Sequence, residues 1–370
     1  MQQGPQLPEY LQKSSFDALS GWPEDNPLAA LDSFLRFCDK PEAFTSAAVP
    51  TLSTTALDPL CKEARRAAGS IEDARRFFET QFTPFEIANS GFVTGYFEPE
   101  VKASRTRSEQ FSTPLHGKPR GLEPVSATNR PKNWPKEISH GRVQNGRLEE
   151  LPDRGAIMDG ALDAEALELV WLENPIDAYF VHVQGSARLR LTDGSVMRVG
   201  YAGKTGHPYT GIARLLVKRG EGTPEDFTMT GLRRWLEAHP DERDKLFRQN
   251  RSYIFFREVT ETLEDDGPVG AAGLPLKTGR SLAVDPDFIP YGALVHVASQ
   301  FGDIDRPERT FGRLMVADDT GSAIKGVARG DLFVGSGPGA GDIAGEIRHP
   351  ATFTLLLPNS LFEHPDEGRN

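Results

Sequence analysis

The sequence is poor in cysteine, in long apolar runs and in basic excess, and each shortage narrows the function. Cys38 and Cys61 are the only cysteines. They form no CxxC pair and have no histidine cluster beside them, which argues against zinc. Both are expected to serve as small apolar core residues, since free cysteine is among the most buried residue types. A disulfide between them is not deducible from the sequence. No stretch approaches the roughly 18 apolar residues of a membrane-spanning helix. The N-terminal MQQGPQLPEYLQKSSF has neither a basic n-region nor an apolar h-region, so no export signal is visible. Either a leader has been removed or the chain stays inside. The net charge of -11 argues against nucleic acid and against a polybasic membrane patch. An acidic protein can still bind a neutral or weakly charged polymer such as a glycan. A phosphate loop is excluded on pattern: GKTGH contains Gly203-Lys204-Thr205, but Arg198 stands where the first glycine of GxxxxGK belongs. Internal repeats and low-complexity tracts are also missing.

The 370 residues allow two domains, or one large core with an insertion. Residues 1 to about 25 read as an extended arm. Asn26-Pro27 looks like an N-cap followed by proline at the first helical position. Leu28, Leu31, Phe34, Leu35 and Cys38 then recur at helical spacing, and a second helix is expected from Ser70. GFVTGYFEPEVKAS, from Gly91, carries strand residues, with Gly91 and Gly95 allowing close approach. Residues 104 to about 155 are rich in Arg, Pro, Gly, Ser and Asn and read as a long loop at a domain boundary. Asp163 to Leu172 reads as a helix. Ala178 to Tyr201 reads as β, with Asp193-Gly194 as a hairpin turn. Short helices are expected around Ile212–Leu216 and Leu232–Leu236, and a strand from Ser252 to Arg257. GPVGAAGLPLKTGR and the stretch PGAGDIAG after Gly337 read as Gly-rich turns, the latter leading into a closing apolar strand. β-rich ends around a separate middle suggest a barrel interrupted by an inserted domain.

The stretch from Leu314 to Gly337, LMVADDTGSAIKGVARGDLFVGSG, organises this picture. A buried strand runs into Asp318-Asp319, and a second short strand carries Asp331. Asp285 follows a similar apolar run upstream. Acids at strand ends are held by a rigid scaffold yet project from its edge, so these aspartates suggest one acidic site. DTGS at Asp319 to Ser322 matches an aspartic-protease signature. That chemistry needs two carboxylates sharing a proton, and no second D-T/S-G occurs in the chain. Retroviral-type subunits, which supply the second by symmetry, are much shorter. The plain alternative is a turn in which Asp319 bonds nearby amides. Phe333 and Val334 beside Asp331 would raise its pKa by burial, giving a general acid; a solvated turn aspartate is the alternative. Twelve residues separate Asp331 from Asp319, enough for a strand–loop–strand return that couples the two. Tyr179, His182, Gln184, Gly185, Ser186, Tyr201, Lys204, His207 and Tyr209 mix amides, aromatics and small residues, as sugar binding requires. His182 and His207 lack metal spacing and read as hydrogen-bonding or core histidines.

Five segments in order resemble the membrane-bound lytic murein transglycosylase A family: GFVTGYFEPEVKAS, YFVHVQGSARLRLTDGSVMRVGYAGKTGHPY, SYIFFRE, GLPLKTGRSLAVDPDFIPYGALVHV and LMVADDTGSAIKGVARGDLFVGSGPGAGDIAG. The likeness covers roughly residues 85 to 350. The C-terminal part is similar to the 3D domain, whose three aspartates fall here at Asp285, Asp319 and Asp331. The resemblance implies a mainly β fold. A double-psi β-barrel is formed by both chain ends (1–103 plus 249–370, with N-terminal helices), and a smaller β-domain (104–248) is inserted. Glycan would lie in the groove between them. It implies Asp331 as catalytic acid with Asp319 beside it. Thr94, Tyr96, Gln184, Gly185, Ser186, Tyr201, Lys204 and Asp285 become substrate-binding candidates, and no metal or cofactor is needed. The implied reaction cleaves the β-1,4 bond between N-acetylmuramic acid and N-acetylglucosamine without water and leaves a 1,6-anhydro end. An inverting hydrolase using Asp331 and Asp319, or a non-catalytic wall-binding protein, is the alternative. The expected partners are peptidoglycan glycan strands and no nucleic acid. The chain is expected to be a monomer, with membership of a cell-wall synthesis complex left open. Family members are commonly exported lipoproteins of the periplasm and outer membrane. Here no lipid-attachment cysteine is visible, since Cys38 sits inside a helical pattern.

Overall fold

Helix Pro27–Asp39 starts where the Asn26 side chain accepts from the Ala29 N–H and Pro27 fills the first turn. Helix Ile71–Gln81 starts in the same way, with Ser70 accepting from the Asp73 N–H. Between them lies helix Thr54–Ala67. The computed structural model describes residues 7–50, 54–262 and 266–362. The first residues of the arm read from the sequence lie outside these. The rest of that arm is a short strand, Leu11–Lys13, followed by a turn that buries Trp22 and Asp25.

The chain divides into two compact units. One comprises Met1–Tyr96, Glu264–Gly335 and Ile347–Asn370; the other comprises Phe97–Leu263 and Ser336–Glu346. In the first unit the apolar faces of the three helices meet in an aromatic core of Trp22, Phe34, Phe37, Phe77, Phe78 and Phe82. Cys38 and Cys61 are buried here as expected, but they are joined to each other by a disulfide rather than packed as free thiols. Helical burial brings the two positions together although 23 residues separate them.

These helices cover an eight-stranded sheet ordered Leu11–Lys13, Phe82–Ile87, Arg348–Pro358, Leu294–Gly302, Thr310–Asp319, Ser281–Ala283, Arg329–Ser336, Gly91–Glu98. Gly91–Glu98 also pairs with Arg348–Pro358, so the strand order returns on itself. At that return the backbones run close: a Cβ on Gly91 would lie 2.3 Å from the Ala351 carbonyl oxygen. Ser281–Ala283 runs parallel to Thr310–Asp319 and antiparallel to Arg329–Ser336.

The second unit is built on a six-stranded sheet ordered Ile254–Val259, Val196–Lys204, Ser186–Leu191, Glu100–Ser104, Glu168–Leu172, Thr113–His116. The turn between Ser186–Leu191 and Val196–Lys204 is at Asp193-Gly194, with Gly194 at φ +86°. A smaller sheet joins Leu122–Pro124, His140–Gln144 and Arg147–Glu149.

Four readings of the sequence need correction in this unit. Residues 104–155 are not one irregular loop but hold several short strands. Their Arg, Pro and Gly content hid a period that is only three to five residues long. Asp163–Leu172 is a single 3-10 turn and then a strand, Glu168–Leu172, which buries Val170 and Leu172 at period two. The segment read as β from Ala178 opens instead in a helix, Pro175–Gln184. Asn174 caps it, Pro175 begins it and Gly185 at φ +85° ends it, so local cap chemistry overrides the strand preference of Tyr-Phe-Val. The glycine-rich PGAGDIAGE is also helical, Pro338–Glu346. Its glycines permit close packing: a Cβ on Gly341 would sit 2.9 Å from the Phe97 ring.

Candidate active site

Leu314, Met315, Val316 and Ala317 are fully buried, and their strand delivers Asp318 and Asp319 at its end. Successive residues of a strand face opposite ways. Asp318 therefore turns into the interior and is fully buried, while Asp319 is half-buried. Asp331 lies two strands away and is also half-buried. Ala283 is the register partner of both, of Asp319 on one side and Asp331 on the other. Two strand spacings, about 10 Å in all, thus separate their backbones.

Each acid has its own donors. Asp331 Oδ1 accepts from the Thr94 hydroxyl, and Thr94 Oγ1 accepts in turn from Arg329 at 2.7 Å. Burial pushes the Asp331 carboxyl up to about 6; the Arg329 cation and the Thr94 hydroxyl pull it down, and the Asp319 charge adds to the rise. Asp319 Oδ2 accepts from the Tyr96 hydroxyl at 2.7 Å, and Oδ1 accepts from the Ala271 N–H at 2.9 Å. Burial raises its pKa against those bonds. Tyr96 is raised well above the usual phenol range, by burial first and then by Asp319 and Asp318. It remains a donor at any working pH. Beneath these groups Tyr96, Leu276, Ala283, Ile324 and Phe333 form a small apolar cluster.

Asp318, which the sequence reading placed in the stretch but gave no role, is the most perturbed of the three. Its Oδ2 accepts from Ser281 Oγ at 2.5 Å and from Arg36 Nη2 at 3.1 Å. Its Oδ1 is buried with no hydrogen-bond partner among the described residues. Burial pushes its pKa up to about 7, Arg36 and Ser281 lower it, and Asp319 raises it further. Arg329 was also missed. The signal was present: it stands two residues from Asp331 on the same strand and so shares its face.

Asp285 is used differently. Its carboxylate accepts from Lys325 Nζ at 3.0 Å and from the Gly326 N–H at 2.9 Å. Burial opposes its charge, but these bonds hold its pKa below the usual carboxylate value. It is an ionised clamp on the turn before the Asp331 strand. Thr94 and Tyr96 belong to the same unit as the acids, and both are committed to them. The remaining candidates belong to the second unit. Gln184 Oε1 accepts from the Phe97 N–H at 3.1 Å, Gly185 ends the helix and Ser186 is buried at the start of a strand. Tyr201 and Lys204 lie on Val196–Lys204, with Tyr201 exposed and Lys204 half-buried. His182 and His207 are buried; His207 Nε2 bonds the Leu151 carbonyl oxygen at 2.8 Å.

This arrangement can hold a proton on Asp331 up to about pH 6, well above the ordinary carboxylate range, and keep it within reach of solvent. It does not join Asp319 and Asp331 through one shared proton, since each has separate donors. A protease-type pair is thereby disfavoured.

Residues 92–257 match the MltA specific insert domain, and residues 280–357 match the 3D domain. The membrane-bound lytic murein transglycosylase A of Escherichia coli K12 is 33% identical over 297 residues, 78% of this chain and 72% of that protein. That of Vibrio cholerae is 30% identical, over 74% of this chain and 67% of its own length. Among solved structures, a membrane-bound lytic murein transglycosylase from Agrobacterium tumefaciens is similar at TM-score 0.86 and 39% identity, covering 95% of this chain and 98% of that one. Escherichia coli MltA with bound chitohexaose is similar at TM-score 0.70 and 25% identity, with 96% of each chain covered. The chain therefore belongs to the membrane-bound lytic murein transglycosylase A family.

Proposed function

We propose that the protein is a lytic murein transglycosylase that cleaves peptidoglycan glycan strands, with Asp331 as acid and then base. One observation carries the reading: the Asp331 carboxyl, raised to about 6, rests on a Thr94–Arg329 relay beside a second acid. The names of the relatives, one of them solved with a chitin oligosaccharide, support the substrate class.

In the proposed reaction Asp331 gives its proton to the glycosidic oxygen as the bond from C1 of the muramyl sugar breaks. Positive charge develops on that ring, and the new Asp331 carboxylate would stabilise it. The C6 hydroxyl of the same sugar then attacks C1 and returns its proton to Asp331. The sugar leaves as a 1,6-anhydro end and no water is consumed. A tethered nucleophile replaces a bimolecular attack, and effective molarities of about 10⁵ M or more are available to such closures. One carboxylate then suffices, whereas ordinary glycosidases need two. In this scheme Thr94 and Arg329 steady the carboxylate stage. The Asp319 charge keeps the proton on Asp331 until it is needed, and Tyr96 fixes Asp319. Gln184, Gly185, Ser186, Tyr201 and Lys204 are the proposed glycan contacts of the second unit.

The returning strand order of the first unit is read as the double-psi β-barrel, with 1–103 and 249–370 as its domain and 104–248 as the insertion. The protein is proposed to work as a monomer in the cell envelope. Among the described residues no helix is long and apolar enough to cross a membrane. The Cys38–Cys61 disulfide suits an oxidising compartment.

The test is product analysis on purified sacculi. Wild type should release anhydro-ended muropeptides, lighter by one water than hydrolysis products. Asp331→Asn should fold normally and lose activity by about 10³-fold or more. Turnover by the variant near the wild-type rate, or products that carry the extra water, would end the reading.

A further inference from the structure

The second unit contains a cavity of about 730 Å³, within the usual size of small-molecule sites. Arg154, His116, His182, Tyr179 and Tyr253 form its buried inner wall. None of them belongs to the acid cluster on the first unit. Arg154 is only 5% exposed. Its Nε donates to the Asn250 carbonyl at 3.0 Å and its Nη2 to the Ser252 carbonyl at 2.7 Å. The Tyr179 and Tyr253 rings lie 5.1 and 5.2 Å from the guanidinium carbon. Among the described residues no carboxylate pairs with this cation, and its Nη1 donates to no protein acceptor. His116 Nδ1 is taken by the Tyr253 hydroxyl at 2.7 Å, and His182 Nδ1 accepts from the Ile254 N–H. Burial pushes both imidazoles down, so they stay neutral at pH 7 and add no charge. A lone buried cation is costly to maintain without an anion, so this wall suits one. Glu168 and Asp163 line the same cavity, half-buried and exposed respectively, and their charge reaches His116.

We propose that this cavity is a second ligand site, for a small molecule joining a carboxylate to an amine: an amino acid or the end of a short peptide. The carboxylate would take the unused edge of Arg154, the aromatic rings would pack its apolar part, and Glu168 and Asp163 would receive the amine. Murein strands carry short peptides with free carboxylates. The inference rests on the proposed function only for this source of ligand, a stem peptide.

Calorimetric titration tests it, with D-alanyl-D-alanine, its C-terminal amide and N-acetylmuramic acid as probes. The dipeptide should bind wild type. The amide should bind about tenfold more weakly or worse, the loss that follows when a charge-assisted pair is removed. Arg154→Met should bring the same loss. Because Arg154 also ties two backbone carbonyls, Thr113→Trp is the second variant: Thr113 is a half-buried lining residue, so the larger side chain takes up cavity space, keeps the clamp and should also weaken binding. Equal binding of dipeptide and amide overturns the proposal, as does the absence of dipeptide binding in the millimolar range or binding of the sugar acid alone. Lysis of peptide-free glycan is measured in parallel. Binding without lysis sinks the proposed function and keeps this site; lysis without dipeptide binding does the reverse.

Discussion

Asp331 and Asp318 are both raised by burial, yet the two shifts lead to different observables. Asp331 must start protonated, so kcat/KM should fall as pH rises through about 6. Thr94 and Arg329 both pull its pKa down. Thr94→Val removes the hydroxyl that favours the carboxylate, so the alkaline limb of the pH–rate profile should move upward, by about half a unit or more. A limb that stays in place would separate Asp331 from that titration. Asp318 instead reports on stability. Its pKa rises from an ordinary 3.8 to about 7 in the fold, so the folded state binds the proton more tightly than the unfolded chain does. That contribution is fully present below pH 3.8 and is lost as pH rises through about 7. Asp318→Asn cannot titrate. Its melting temperature should therefore fall less between pH 5.5 and pH 8 than that of wild type, by about 3 °C or more, the equivalent of ~1 kcal/mol. Parallel melting curves for the two proteins at those pH values check this.

At the scale of the elements, the disulfide between helices Pro27–Asp39 and Thr54–Ala67 closes a loop with 23 residues of separation. Loop-closure entropy for that length is worth about 3 kcal/mol. Cys38→Ala with Cys61→Ala, or reduction, should lower the urea midpoint accordingly, while Asp331 chemistry at low denaturant stays unchanged. Which elements the sequence disclosed follows from how local their causes are. Asn26-Pro27 and Ser70 announce their helices because capping is decided within four residues. Asp193-Gly194 announces its hairpin for the same reason. The strand ending in Asp318-Asp319 was legible from four consecutive apolar residues. Helix Pro175–Gln184 was not, since Tyr179, Phe180 and Val181 favour strands and mask the Asn174, Pro175 and Gly185 caps, to which burial of Ile176, Tyr179 and Phe180 against the neighbouring helices adds. Helix Pro338–Glu346 runs against propensity altogether, and its Gly341 answers to Phe97, far away in sequence. The acids were legible as strand-end residues. Arg36 and Ser281, which hold Asp318 from 282 and 37 residues away, were not.

Across the whole molecule, the two strands that carry the Asp331 site do not end with the first unit. Gly91–Glu98 holds Thr94 and Tyr96, Arg329–Ser336 holds Asp331, and both run on into residues of the second unit. There Glu98 gathers them: it accepts from Ser336 Oγ at 2.7 Å, its carbonyl accepts from the Gly337 N–H at 2.8 Å, and it pairs with Arg198 at 2.9 Å. Burial raises the Glu98 pKa, with Arg198 and Ser336 acting against it. The carboxylate is thus a fixed point for the far ends of both strands. Glu98→Gln keeps the shape but removes the anion from a fully buried ion pair. Such a loss costs about 3 kcal/mol, which should appear as a lower denaturation midpoint. If Glu98 acts only by anchoring, kcat should also drop, by less than about tenfold, while the alkaline limb set by Asp331 keeps its position. A limb that moved with Glu98→Gln would mean that this charge takes part in the proton chemistry, and the anchoring role would have to be given up.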